Sequence, residues 1–130
     1  GALYVMASKD EEIARAIADA VTPFNVAVFG MSNTVHEKVY KHERGLNFVA
    51  EFYSDLDYDE TGKLVLAKGK NSLYDSDLAT ERTLRAIKEK KVKTTVGTDI
   101  DVGCDIVCAH SDTPNAVEII TKLKNAIKNQ

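Results

Sequence analysis

The 130-residue sequence has no tryptophan, and only two cysteines, two prolines and two methionines. Cys104 and Cys108 are too few for a disulfide framework. They lie four apart in a predicted strand, which sets them roughly 13 Å apart, beyond bridging distance. Their spacing matches no zinc signature, so they are expected to be buried thiols of a cytoplasmic protein. No apolar stretch is long enough to span a bilayer. Gly1–Met6 is short and carries no basic flank, so no signal peptide is expected. Basic charge is also scarce: 17 Lys and Arg stand against 20 Asp and Glu, a net charge of -3. That balance leaves no electrostatic footprint for nucleic acid or an anionic membrane. The run Lys88, Lys90, Lys91 and Lys93 is a local exception near a predicted helix end, where cations favour the negative pole of the helix dipole. Both the G-x-x-x-x-G-K-S/T loop and the G-x-G-x-x-G fingerprint are missing, so no nucleotide-binding motif is visible.

What is present is ordinary for a water-exposed globular chain: 44% apolar and 28% charged residues, enough for one core and one domain over residues 1–130. Leu3–Met6 reads as the run-out of a strand. Ser8 and Glu11 form a capping-box pair, followed by Ile13, Ala16, Ile17, Ala20 and Val21 at helical spacing until Pro23. Asn25–Phe29 reads as a strand buried on both faces. A second helix is predicted from Thr34 to Gly45, with the glycine as left-handed C-cap. Asn47–Phe52 is a strand, 53–63 a polar turn-rich segment, and Leu64–Leu66 a short strand. A third helix spans about Asp77–Lys90, its apolar stripe being Leu78, Leu84 and Ile87 with Ala79 and Ala86. The stretch 93–102 is β-prone and could form a small hairpin. Asp105–Ala109 is a buried-type strand. Thr113 as N-cap and Pro114 at the first position open a last helix with Ala116, Val117, Ile120, Leu123 and Ile127 on one face. Alternating apolar strands and amphipathic helices indicate an α/β fold with mostly parallel strands.

In parallel α/β folds, sites form beyond the C-terminal ends of strands. Three such places stand out. After the Asn25 strand come Gly30, Ser32 and Asn33, where backbone N–H groups at a helix start could hold an anion or simply form an N-cap loop. Glu51, Asp55, Asp57 and Asp59 follow in and after the next strand, interleaved with Tyr53 and Tyr58. Clustered carboxylates can share a proton or hold a hard cation, but Asp57 and Asp59 read as solvated. Glu51 interrupts an apolar strand, which is costly unless it is paired or functional. His110-Ser-Asp112 lies at the mouth of the last strand, and His110 there suits general acid–base work. Ser111 lacks the setting of a nucleophile elbow. His36 and His42 read as surface residues of the second helix.

The same segments resemble a known family. Gly1–Tyr4 with Met6–Asp10, Glu51–Tyr58 with Gly62–Val65, and Asp105–Ala116 resemble, in order, stretches of the LamB/YcsF family. These are the region after its Lys-Pro-His triplet, its central segment and its C-terminal His-Gly/Ser-Asp signature. The resemblance covers essentially the whole sequence. It implies a distorted (β/α) barrel of the glycoside hydrolase/deacetylase type. The implied activity is ATP-dependent opening of 5-oxoproline to glutamate by an oxoprolinase whose A subunit works with B and C subunits. ATP would then be bound by the partner subunits. It carries His110, Asp112 and Glu51 over as catalytic residues, with Lys68 as the nearest match to a substrate-binding basic residue, while Asp55, Ser32 and Gly30 are expected to bind substrate from their place beyond the strand ends. Lys68 stands where the family usually has arginine, which keeps the charge without the bidentate fork.

A complete barrel of this kind takes roughly 250 residues, so the sequence corresponds to the family's C-terminal half. An open sheet edge and an uncovered apolar face invite pairing with a second copy or with the missing N-terminal half. Three loops at one rim are expected to gather His110, Asp112, Glu51 and Lys68 around a hollow. Two further readings stand beside the enzyme reading. One is a truncated, non-catalytic relative acting as a binding or assembly module. The other is a metal-dependent deacetylase using Glu51, Asp55 and His110.

Overall fold

The computed structural model describes residues 1–66 and 73–130. The chain divides into two compact units, Gly1–Glu51 and Phe52–Gln130.

Unit 1 opens with helix α1 (Ala2–Ala7), where a strand run-out was expected. A short apolar run does not by itself distinguish the two. Here local bonds favour the helix: Ser8 N donates to the Tyr4 carbonyl at 3.1 Å and Ser8 Oγ to that of Val5 at 2.6 Å. Ser8 therefore closes α1 instead of opening the next helix. Helix α2 (Glu11–Val21) is capped by Asp10, whose carboxylate accepts from the N–H groups of Glu12 and Ile13. Its buried stripe is centred on Ala14 and Ala18, flanked by Ile13, Ile17 and Val21, while Ala16 and Ala20 face solvent. A 3-10 turn, Thr22–Phe24, follows, and Asn25 takes a left-handed conformation after it. Strand β1 (Ala27–Gly30) alternates, burying Val28 and Gly30 and exposing Ala27 and Phe29, so one face is covered, not both. It runs parallel to strand β2 (Asn47–Tyr53), pairing Ala27 with Asn47 and Gly30 with Ala50. Between them lies a π-helix, Glu37–Glu43. Thr34 opens this segment by accepting from His36 N, and the wide turn shows in Arg44 N donating to the Val39 carbonyl. Gly45, at φ +62, ends it as anticipated. Val28, Val39, Tyr40 and the small faces of α1 and α2 form the core of the unit.

In unit 2 the end of β2 leads into an antiparallel hairpin of β3 (Asp57–Tyr58) and β4 (Leu64–Val65). Helix α3 (Ser76–Glu89) starts at Asp75, which accepts from the Asp77 and Leu78 N–H groups, and stops at the left-handed Lys90. A second antiparallel hairpin joins β5 (Lys91–Lys93) and β6 (Asp99–Asp101). Strand β7 (Ile106–Cys108) is a neighbour of β2, and helix α4 (Ala116–Lys128) closes the chain. The β1–β2 pair is thus parallel while both hairpins are antiparallel, so the described strands are more mixed than expected. Helix α3 buries Ala79, Arg82, Thr83 and Ala86, and Leu78 is exposed. Helix α4 buries Ala116, Ile119 and Leu123, leaving Val117 and Ile120 exposed. Its N-cap is Asn115, not Thr113. The Asn115 side chain instead holds Tyr74, accepting from its N–H at 3.2 Å and donating to its carbonyl at 2.7 Å. Tyr74, Ala79, Ile119 and Leu123 form one buried cluster of this unit, with Val107 and Ala109 packed on it.

Candidate active site

The site in unit 2 grows out of one backbone clamp. Where β2 ends and β7 ends, the Cys108 carbonyl accepts from both the N–H (3.0 Å) and the Oγ (2.8 Å) of Ser54. That pair of bonds fixes the residues just beyond each strand against each other. Asp55 and His110 are those residues. The Asp55 carboxylate accepts from the His110 N–H through Oδ2 at 2.7 Å and meets His110 Nδ1 through Oδ1 at 2.8 Å.

Burial makes the pair consequential. The Asp55 side chain is 1% exposed and that of His110 is 36% exposed. A buried carboxylate is costly without partners, and here two donors from one residue satisfy it. With Nδ1–H pointing at Asp55, Nε2 is the ring atom left to accept or deliver a proton. The Tyr53 ring stacks on the imidazole, centroids 5.8 Å apart and planes 17° apart. Ring position, ring tilt and tautomer are all set by neighbours, as general acid–base chemistry requires. Asp112 and Ser111 are exposed in the turn after His110.

Beneath this pair sits Arg82 of α3, 8% exposed. Its Nη1 donates to the carbonyls of Leu56 (2.6 Å) and Ser54 (3.3 Å), on either side of Asp55. The same atom bonds the Tyr74 hydroxyl at 2.6 Å, and the guanidinium packs on the rings of Phe52 and Tyr58. Tyr74 in turn donates to Asp57 at 2.9 Å, and the Asp57 side chain stays 44% exposed, as expected for a solvated carboxylate. Burial pushes the Tyr74 hydroxyl well above its ordinary value, which keeps it a donor. Asp59 is a turn-forming carboxylate that accepts from Thr61 and Lys63, which lowers it below the usual carboxylate range.

Gly30, Ser32 and Glu51 belong to unit 1, and Lys68 lies outside the described residues. Gly30 ends β1 opposite Ala50, so Glu51 is the next residue of β2. A Cβ on Gly30 would come within 2.7 Å of His36 Cβ and 2.8 Å of Phe48. His36, expected at the surface, is fully buried. Its Nδ1 accepts from Met31 N at 3.1 Å and its Nε2 donates to the Tyr4 carbonyl at 2.9 Å. His42 is exposed, as expected. Both cysteines are thiols rather than a disulfide, and burial pushes the Cys104 thiol up to about 11, which leaves it protonated near neutrality. Among the described residues no three His, Cys, Asp or Glu side chains converge as metal ligands would, so the deacetylase reading finds no donor set there. Among them, too, no helix is long and apolar enough to cross a membrane.

A model of the LamB/YcsF family matches residues 1–130. The chain belongs to the LamB/YcsF family. Among its relatives, the 5-oxoprolinase A subunit of Oceanobacillus iheyensis is 40% identical over 133 aligned positions, covering 100% of this chain and 51% of the relative. A protein of the same name from Campylobacter jejuni is 37% identical and is covered to 52%. The crystal structure of lactam utilization protein from Thermus thermophilus superposes with a TM-score of 0.82 at 33% identity, covering 99% of this chain and 52% of that one. The chain therefore spans about half the length of the curated relatives it matches. Its α/β fold of helices and parallel strands is that of the matching part of the Thermus protein.

Sequence reasoning within this LamB/YcsF chain singled out His110 and Asp55, which the structure brings into hydrogen-bond contact, but passed over Arg82 and Tyr74 and read His36 as a surface residue. Arg82 did leave a signal: positions 79, 82, 83 and 86 fall on one helical face, so its place on the stripe with Ala79 and Ala86 marks it as inward-facing.

Proposed function

We propose that this chain acts as part of the A subunit of a 5-oxoprolinase, taking part in the hydrolysis of a cyclic amide to glutamate. The single observation that carries this reading is the His110–Asp55 pair, an imidazole whose Nδ1 is held by a buried carboxylate at 2.8 Å. The names of the relatives supply the substrate class.

In this reading His110 Nε2 takes a proton from water as the water oxygen bonds to the ring carbonyl. The ring C–N bond then breaks, and the proton passes from Nε2 to the departing nitrogen. Asp55 holds the imidazole and stabilises its charged form, as the carboxylate of a catalytic triad does. That makes Asp55 a positioning residue rather than a substrate contact. Asp112 and Glu51 are the further proposed catalytic carboxylates. Lys68, Ser32 and Gly30 are proposed to hold the substrate carboxylate. ATP would supply the driving force for ring opening and is assigned to partner subunits, since the sequence has no phosphate-binding loop. The proposal places the chain in a glycoside hydrolase/deacetylase-type barrel in the cytoplasm. The barrel would be completed by a second copy or by an N-terminal half.

The test is an assay of glutamate formation from 5-oxoproline and ATP, run with and without partner subunits and with the complementary N-terminal half of a relative supplied. ATP-dependent glutamate formation supports the enzyme reading. Binding of the partner subunits with no turnover would point to the assembly module instead.

A further inference from the structure

Unit 2 contains a cavity of about 330 Å³, lined by Arg82 and Lys93 together with Asp57, Tyr74, Thr94 and Thr95. Its size falls at the small end of ligand pockets. Leu78 and the Tyr74 ring give it an apolar wall. Two cations face one carboxylate in the lining, an excess of one positive charge. The carboxylate is already engaged, because Asp57 accepts from Tyr74 and lies 3.8 Å from Arg82 Nη1.

Arg82 is the unusual member. Its Nη1 is taken up by two carbonyls and a hydroxyl, whereas its Nε and Nη2 make no bond with a described residue. Arg82 lines the cavity, and a guanidinium edge is a planar fork that matches a carboxylate. A single excess positive charge suits a monoanion. A dianion such as hydrogen phosphate would also meet the Asp57 charge.

We infer that this cavity is a binding site for a small organic carboxylate, which would be held by the remaining edge of the Arg82 guanidinium and by Lys93, with the Thr94 and Thr95 side chains at its rim. The inference stands apart from the proposed reaction, because it requires occupancy of the cavity and no turnover. The carboxylate could come from the proposed substrate or from a separate small acid, and the two sources are separable by competition.

The test is a titration of the full 130-residue chain with acetate at constant ionic strength, with sodium chloride as control, following the backbone amide resonances of Lys93, Thr94 and Thr95. Saturable shifts are expected with acetate and not with chloride. Lys93→Met should weaken acetate by on the order of tenfold, and Lys93→Arg should restore it. Displacement of acetate by 5-oxoproline would support the site and name the substrate as its source. Acetate binding without such displacement would support a separate acid. Shifts that merely follow ionic strength, an unchanged affinity in Lys93→Met, or tighter binding of inorganic phosphate than of acetate would each overturn the inference.

Discussion

His36 carries two backbone hydrogen bonds in a fully buried setting. Burial lowers its pKa from the ordinary 6.5, against smaller opposing effects of the Tyr4 carbonyl and Glu51. The unfolded chain therefore takes up the proton first as the pH falls. Stability of unit 1 should be complete above pH 6.5 and decline below it toward the lowered folded value. Urea unfolding followed from neutral to mildly acidic pH checks this. The His36→Gln variant should show a flatter profile, and an identical one would refute the assignment. Gly30 is constrained by the same residue. Gly30→Ala drives a methyl into His36 and Phe48, an overpacking expected to cost about 1–3 kcal/mol, measurable in the same unfolding experiment. At the proposed site, Asp55→Asn keeps the size but removes the charge facing His110 Nδ1. Turnover in the reconstituted assay should fall by about a hundredfold or more, with the folded state retained.

Among the elements, α2 offers the cleanest test of local coding. Asp10 satisfies two N–H groups at its start, so Asp10→Ala should lower stability by about 1 kcal/mol, whereas Ser8→Ala should act on α1 through the lost bond to the Val5 carbonyl. Thermal unfolding of both variants distinguishes the caps. This element also shows where sequence reading stopped. Helical periodicity located α2, α3 and α4, because spacing survives in composition. It placed part of each face, with Ile13 and Ile17, Ala79 and Ala86, and Ala116 and Leu123 turned inward as expected, and misplaced Ala16, Ala20, Leu78, Val117 and Ile120. In α4 the buried residue is Ile119 rather than Ile120, a one-residue rotation of about 100°. The π-helix at Glu37–Glu43 had no signal beyond its terminal Gly45, since its wider turn depends on packing around Val39 and Tyr40. The α1 segment was misread because a short apolar run satisfies either period.

At the scale of the molecule, two compact units share one chain, and family membership covers all of it. His110 and Asp55 were legible in the sequence because they stand just beyond strand ends, where parallel folds place chemistry. Their bond was not legible, because it depends on the Ser54–Cys108 clamp between segments 54 residues apart. Arg82 was hidden by its charge, which reads as surface until the rings around it are seen. The account turns on His110 moving a proton during ring opening. The most direct measurement is the rate of glutamate formation from 5-oxoproline with ATP and partner subunits, comparing the unaltered chain with His110→Ala. Loss of at least about a hundredfold, with folding and partner binding intact, is the predicted result. Equal rates from the two proteins would contradict it.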